Sequence, residues 1–368
     1  MRIVVTGADG FIGRNLRIRL QEVGYSNVIA VTHSTVAEEL QAALASADFV
    51  FHLAGVNRPQ RDEDFASGNT GFTERICAVL NNSPEPARVA FASSTQAELE
   101  NAYGRSKRAA EGALLSYGRS SGAPVYIFRL TNVFGKWCRP NYNSAVATFS
   151  HNIARGLPIE VKDPAAKLCL VYIDDVISAF MALLDRPDAP SGFCEAGPTY
   201  ATTVGEVAAL LREFADSRAT LLIPRVGKGF MRALHATYIS YLPPASFAYQ
   251  VPRHADPRGV FVEMLKSTDS GQVSYFTAGP GVTRGEHYHH SKTEKFLVIK
   301  GRARFGFRHI LTGETHQIET HGGESRVVET VPGWTHNIQN IGDDEMIVML
   351  WANEVFDRAR PDTVAMKV

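Results

Sequence analysis

The chain has 368 residues, 45% hydrophobic and 21% charged, which is ordinary globular composition with enough apolar material for a substantial core. Thirty-eight basic residues balance 38 acidic ones, and residues 1–242 (24 and 23) are as neutral as residues 243–368 (14 and 15). That balance argues against a nucleic-acid-binding or membrane-surface protein. Histidine alone is uneven, with eight of 12 after residue 250.

Met1-Arg2 runs directly into Ile3-Val4-Val5, too short an apolar run for a secretory signal. No apolar stretch approaches the roughly 18 residues of a membrane span. Cys77, Cys138, Cys169 and Cys194 are scattered without CxxC spacing and read as free thiols in a reducing compartment. The expectation is a cytoplasmic chain without membrane insertion.

At about 150 residues per domain, the length predicts about two domains. Arg2–Thr6, Asn27–Thr32, Phe49–Leu53, Val89–Ala92 and Val125–Leu130 are short apolar runs of strand type. Between them, Ile12–Val23 and Phe72–Leu80 repeat apolar residues at helical spacing. This alternation predicts an α/β fold for residues 1–242, a Rossmann-type doubly wound parallel sheet. Tyr241-Leu-Pro-Pro-Ala-Ser246 marks a connector. Beyond it, Val260–Leu265, Val273–Thr277, Phe296–Ile299, Ala303–Phe307 and Glu345–Trp351 are closely spaced β-type runs. Residues 246–368 therefore read as an all-β sandwich or jelly-roll barrel.

Residues 3–13 read Ile-Val-Val-Thr-Gly7-Ala-Asp9-Gly10-Phe11-Ile12-Gly13, a strand, a GxxGxxG turn and a helix start. Such a turn brings backbone N–H groups and the positive helix end onto a dinucleotide pyrophosphate. The second strand ends Val31-Thr32-His33-Ser34, with no acid to bind a ribose 2′-hydroxyl. That favours NADP(H), with His33 and Arg14 as phosphate partners, although His33 also reads as a plain surface-loop residue. Further on, Tyr103 and Lys107 stand one helical turn apart on one face. A lysine there is expected to lower the tyrosine pKa and suit it to proton exchange with a hydroxyl or carbonyl. Upstream, Ser93-Ser94-Thr95 supplies a hydroxyl for the same oxygen.

With these motifs, residues 1–242 resemble the extended short-chain dehydrogenase/reductases that act on sugar nucleotides. His52-Leu53-Ala54-Gly55, Gly68-Asn69, Arg129-Leu-Thr-Asn132-Val-Phe-Gly135 and Tyr172-Ile-Asp-Asp-Val176 extend the match. The resemblance implies catalytic Ser94, Tyr103 and Lys107, cofactor contacts at Leu53, Ala54 and Gly55, a structural Asn69, and Asn132 on the nucleotide diphosphate. Related 4,6-dehydratases carry an acidic pair just after the catalytic hydroxyl. Here Thr95-Gln96-Ala97 follows Ser94, so carbonyl reduction is expected rather than dehydration.

Gly281 to Gly301 follow the cupin pattern G-x5-H-x-H-x4-E-x6-G, carrying His287, His289 and Glu294, and Pro332-Gly-Trp-Thr-His336 adds a third histidine. In a strand, His287 and His289 face one side and His290 the other. Three imidazoles and a carboxylate suit a divalent metal, Zn, Ni, Fe or Mn. His309, His316 and His321 read as surface residues. Asp256-Pro-Arg258-Gly259-Val-Phe261-Val-Glu263 with Arg284-Gly285-Glu-His287 is also similar to metal-free deoxysugar 3,5-epimerases. That likeness makes His287 a base, with Arg258 and Arg284 on the diphosphate. Metal and base readings compete for His287.

End to end, the chain resembles the bifunctional capsule and O-antigen enzymes of the CapF/WbjC type. The resemblance implies C3 epimerisation of UDP-2-acetamido-2,6-dideoxy-β-L-arabino-hexos-4-ulose in the zinc-bearing cupin. NADPH reduction at C4 in the first domain then gives the L-talose product. A homodimer is expected of both parent folds. The alternative is a reductase whose cupin only binds sugar or mediates dimerisation.

Overall fold

The computed structural model describes residues 1–59, 61–256, 259–262, 265–267, 271–354 and 359–368. It has two compact units, Met1–Val133 with Cys169–Tyr200, and Phe134–Leu168 with Ala201–Val368. Among the described residues no helix is long and apolar enough to cross a membrane.

The first unit alternates β1 (Ile3–Thr6), α1 (Phe11–Glu22), β2 (Val28–Val31), α2 (Ala37–Ala45), β3 (Phe49–His52), α3 (Phe72–Asn81), β4 (Arg88–Ser94), α4 (Ala102–Ser121) and β5 (Val125–Leu130). The sheet runs β2-β1-β3-β4-β5, closed by the strand Gly192–Cys194, and every pairing is parallel. All five strands read from the apolar runs are present. Their near-continuous hydrophobicity has a direct cause, because both faces are covered. Val4, Val50, Val89 and Ile127 pack against Leu40, Ile76 and Leu114 of the helices. On the opposite face, Phe51 and Phe128 meet Phe180 at ring-centroid distances of 5.8 and 4.8 Å. Strand order reverses about β1, whose neighbours are β2 and β3. The crevice at the carboxyl ends of β1 and β3 is therefore the ligand position of a doubly wound sheet.

The second unit contains α5 (Val204–Thr220) and α6 (Gly229–Ser240), then β6 (Ala248–Gln250), β7 (Gln272–Ala278), β8 (Thr283–Tyr288), β9 (Glu294–Lys300), β10 (Arg302–His309), β11 (Thr315–His321), β12 (Arg326–Glu329), β13 (Trp334–Asn340), β14 (Met346–Ala352) and β15 (Val364–Ala365). Two antiparallel five-stranded sheets result, β6-β12-β9-β14-β7 and β11-β10-β13-β8-β15. This is the all-β arrangement expected of the C-terminal part. A buried charge cluster ties α5 to it. Arg218 pairs with Glu329 of β12 and donates to the Ser246 carbonyl at 2.6 Å. Lys295 of β9 pairs with the same carboxylate and donates to the Tyr249 hydroxyl at 2.9 Å. One carboxylate thus balances two buried cations, and removing it would strand both charges.

Candidate functional site

The glycine turn lies at the crevice of the first unit. Gly7 has φ of +64°, and a Cβ there would stand 2.7 Å from the Ala54 nitrogen, so only glycine fits between β1 and the segment after β3. Helix α1 begins at Phe11 with Gly10 as its N-cap, and no side chain caps its first turn. Uncapped amides at a helix start form an anion site, and these residues fit a dinucleotide pyrophosphate. Asp9 is exposed and pairs with Arg17 at 3.3 Å, while Phe11 and Ile12 are half-buried and Gly13 is buried. His33 is exposed just beyond β2, whose tip carries hydroxyls, Thr32 Oγ1 lying 2.8 Å from Ser34 Oγ.

A proton chain fixes the segment Leu53-Ala54-Gly55. Thr73 Oγ1 donates to the Asn69 carbonyl at 2.8 Å, so it accepts from His52 Nε2 at 2.9 Å. The Nδ1 of that neutral ring then accepts from Thr6 Oγ1 at 2.8 Å, and the backbone N–H groups of Leu53 and Ala54 donate to the same oxygen at 3.2 Å. Burial, with the Lys107 charge beside it, brings His52 down to about 3 and keeps it neutral. Asn69 lies in a π-helical segment (Ala66–Gly71), accepts from Val56 N at 2.8 Å and donates to Ser106 Oγ at 2.9 Å. Its structural role is clear from these bonds. Thr6 and Thr73 carry no motif and were invisible in the sequence.

The structure separates the two serines at the end of β4. Ser93 donates to buried Glu111, which also accepts from Arg129 Nη2 at 2.7 Å. Ser94 Oγ accepts from Gln96 N at 3.1 Å and lies near the Tyr103 phenol. The helix carrying Tyr103 approaches closely because residue 104 is glycine, where a Cβ would fall 2.2 Å from the Gln96 carbonyl oxygen. Lys107 is buried, donates to the Ala92 carbonyl at 2.7 Å and lies 4.3 Å from the Phe91 ring centroid. Burial lowers its pKa to about 8, with Glu111 opposing. Burial also raises the Tyr103 phenol, against the Ser94 hydroxyl. The phenol therefore stands above its ordinary value rather than below it, because burial outweighs the groups that favour the phenolate. Asn132 is exposed, and its Nδ2 donates to the Cys169 carbonyl at 3.3 Å.

In the second unit, His287, His289, Glu294 and His336 present one donor atom each, all within 4.8 Å of one another. The ring centroids of His287 lie 5.0 Å from His289 and 4.7 Å from His336. His287 and His289 both contribute to this cluster, and His290 packs instead beside Tyr288 at 5.5 Å. A cavity of about 180 Å³ opens onto the cluster, with Phe276, Phe296, Phe305 and Leu350 as apolar walls and His287, Glu294 and His336 as polar lining. Arg284 lies at its edge, 5.0 Å over the Phe276 ring. Arg258 lies outside the described residues.

The donor set fits a divalent cation. His289 Nδ1 faces the Asp362 carbonyl oxygen and so carries the proton, leaving Nε2 a lone pair that faces Glu294 Oε2 at 3.2 Å. His336 Nε2 faces the same oxygen at 3.5 Å. Burial lowers His336, and it brings His287 down to about 4, so protonated imidazoles are disfavoured. Acceptors gathered about a carboxylate are the arrangement a cation satisfies.

Two residues correct the sequence reading. His309 is half-buried rather than free on the surface. It sits between Trp137 and Trp334, at 6.2 and 5.1 Å, and burial brings it down to about 4. Asp362, to which no role was assigned, anchors the histidine loop.

Residues 3–193 match the NAD dependent epimerase/dehydratase family, and residues 254–364 match the polysaccharide biosynthesis C-terminal domain. The chain is 55% identical to a Pseudomonas aeruginosa protein named UDP-2-acetamido-2,6-beta-L-arabino-hexul-4-ose reductase, over 100% of this chain and 99% of that protein. It is similar in structure to the capsular polysaccharide assembling protein CapF from Staphylococcus aureus, with 40% identity, TM-score 0.69 and 100% of both chains covered. The structure of MoeE5 with UDP-glucose and NAD matches 58% of this chain and 81% of its own, with 25% identity and TM-score 0.52. A nicotinamide cofactor accords with the glycine turn and with these relatives. The chain belongs to the NAD dependent epimerase/dehydratase family and, over its whole length, to the CapF/WbjC type that adds a polysaccharide biosynthesis C-terminal domain.

Proposed function

We propose that the chain performs two consecutive steps on a UDP-linked 4-keto deoxy amino sugar. The histidine cluster epimerises C3 of UDP-2-acetamido-2,6-dideoxy-β-L-arabino-hexos-4-ulose, and the first unit reduces C4 with NADPH to the L-talose product. The observation that carries this reading is the pairing of two chemistries in one chain. Ser94 and Tyr103 beside buried Lys107 serve reduction, and a His/Glu cluster opening into a cavity serves proton transfer. The full-length likeness to the Pseudomonas reductase supports the substrate.

When bound, the reduced nicotinamide supplies the hydride. Ser94 and Tyr103 hydrogen-bond the C4 oxygen, and Tyr103 hands it a proton. Its raised pKa keeps the phenol protonated, as a donor must be. Lys107 places positive charge beneath the site and stabilises the phenolate left behind. The absence of acid at 31–34 supports NADP(H), with His33 near its phosphate. In the cupin-type site, His287, His289, Glu294 and His336 would hold the cation, zinc first, which when bound supplies a Lewis acid for the ketone. A C4 carbonyl acidifies the C3–H bond, so a base and a polarised ketone suffice for epimerisation. Either His287 completes the ligands of the cation or, as the least buried of the four, it moves that proton as the base; Arg284 at the cavity would serve the diphosphate. Exposed Val273 and Tyr275 on edge strand β7 support a homodimer. Four free thiols accord with a cytoplasmic enzyme.

The test is incubation of the metal-loaded full chain with the 4-keto sugar in D2O without NADPH. Deuterium at C3 is the expected result. A folded, loaded chain that incorporates none sinks the epimerase and leaves the sandwich as a sugar-binding or dimerisation module.

A further inference from the structure

The three histidines sit on β8, on the loop after it and on β13, yet the segment that touches all three neighbourhoods is the far C-terminus. Asp362 meets the loop twice. Its carboxylate accepts the backbone N–H groups of His290, Ser291 and Lys292 at 2.9, 2.7 and 2.7 Å, and the Ser291 hydroxyl at 3.0 Å. Three successive N–H groups converging on one carboxylate form an anion nest. The backbone carbonyl of the same residue accepts from His289 Nδ1. Two residues on, β15 pairs with β8, Val364 opposite Tyr288 and Ala365 opposite His287. Just before these pairs, β8 is bulged between Gly285 and His287, with Glu286 at φ of +58°, a conformation that residues with a Cβ seldom hold unaided. The tail holds it: Met366 N donates to the Glu286 carbonyl at 2.8 Å and Val368 N to its carboxylate at 3.0 Å. Beside His336, the Thr335 hydroxyl donates to the Met366 carbonyl at 2.5 Å.

We propose that the C-terminal segment Asp362–Val368 is the positioning element of the histidine site, and that Asp362 sets His289 as its Nδ1–H tautomer with Nε2 turned to the cluster. A histidine that offers Nε2 to a ligand must carry its proton on Nδ1, and a fixed acceptor there selects both tautomer and ring angle. The nest fixes that acceptor, because the loop and Asp362 then move as one body. Asparagine cannot replace the carboxylate, since its NH2 would face N–H donors.

The test uses the full-length chain, labelled with 15N-histidine and freed of metal, in long-range proton–nitrogen spectra. His289 is expected as the Nδ1–H tautomer, and Asp362→Asn to release it into a mixture. Cobalt(II) then serves as the probe in the reloaded chain. Its Kd is expected to rise about 10–100-fold in Asp362→Asn with a shifted visible spectrum, Asp362→Glu lying between. A wild-type His289 protonated on Nε2 overturns the proposal without any variant. So does a folded Asp362→Asn chain with unchanged tautomer and cobalt affinity, which would make Asp362 a tail anchor only. The cobalt arm rests on the metal reading given above, and the tautomer arm does not. A wild-type chain that shows the Nδ1–H tautomer but binds no cobalt would remove the metal and keep the positioning role.

Discussion

Tyr103→Phe separates the two activities: NADPH oxidation with the 4-keto sugar is expected to fall about 10²–10⁴-fold, the range of a lost general acid, while deuterium exchange at C3 stays within about twofold of wild type. The substitution removes one hydroxyl and leaves a ring that packs 5.5 Å from Phe65, so the fold is retained. What disappears is the proton donor beside Ser94. Stopped-flow absorbance at 340 nm reads the first activity and NMR of the recovered sugar the second. If both vanish in a folded chain, one site serves both steps and the two-site model is wrong.

Lys107 adds a pH signature to the same reaction. Its pKa is lowered to about 8, first by burial, with the Glu111 carboxylate pulling the other way. The charge under the tyrosine is therefore nearly complete below about pH 7, halved near pH 8 and lost above it. NADPH oxidation at saturating substrate is expected to hold steady up to about pH 7 and to decline through about 8. Lys107→Arg, charged throughout, removes that decline even where its absolute rate is lower. A wild-type profile flat to pH 10 would show that this charge plays no part.

The reductase half was legible because its signals are local. Five apolar runs have the length and composition of doubly covered strands, and each became one. Tyr103 and Lys107 share a helix face by spacing alone. Choosing Ser94 over Ser93 needed the family resemblance, and the structure gives the physical reason: Ser93 is taken by Glu111, which Arg129 holds from β5. The misses are all contacts across long stretches of chain. Asp362 reaches back 73 residues to His289, Trp137 covers His309, and Thr6, His52 and Thr73 join three separate elements. No periodicity announces such contacts. A histidine flanked by Arg308 and Ile310 looks exposed until two tryptophans close on it. The phenol pKa was missed for a related reason: spacing shows that Lys107 is near Tyr103, but only coordinates show the burial that raises the phenol.

Glu294→Gln carries the other large effect. The carboxylate is buried, its Oε2 lies 3.2 and 3.5 Å from Nε2 of His289 and His336, and its Oε1 pairs with Lys292 Nζ at 2.8 Å. A carboxylate paired with an ammonium at that distance is charged at neutral pH. Glutamine keeps the shape and deletes the charge. Its NH2 also donates to an imidazole lone pair, satisfying within the protein what a cation would otherwise satisfy. Metal affinity is therefore expected to fall by at least about 10²-fold, roughly 2.7 kcal/mol, and C3 exchange to fall with it. NADPH oxidation of sugar already epimerised at C3 is expected to persist. Metal content after equilibration with a competing chelator, measured beside the exchange rate, checks both. Equal metal in wild type and variant would remove Glu294 from the site. A wild type that exchanges C3 without metal, matched by Glu294→Gln, would leave His287 acting as a base in a metal-free barrel. The cavity walls of Phe276, Phe296 and Phe305 then become the decisive feature, because a dry pocket keeps that imidazole neutral and able to accept the C3 proton.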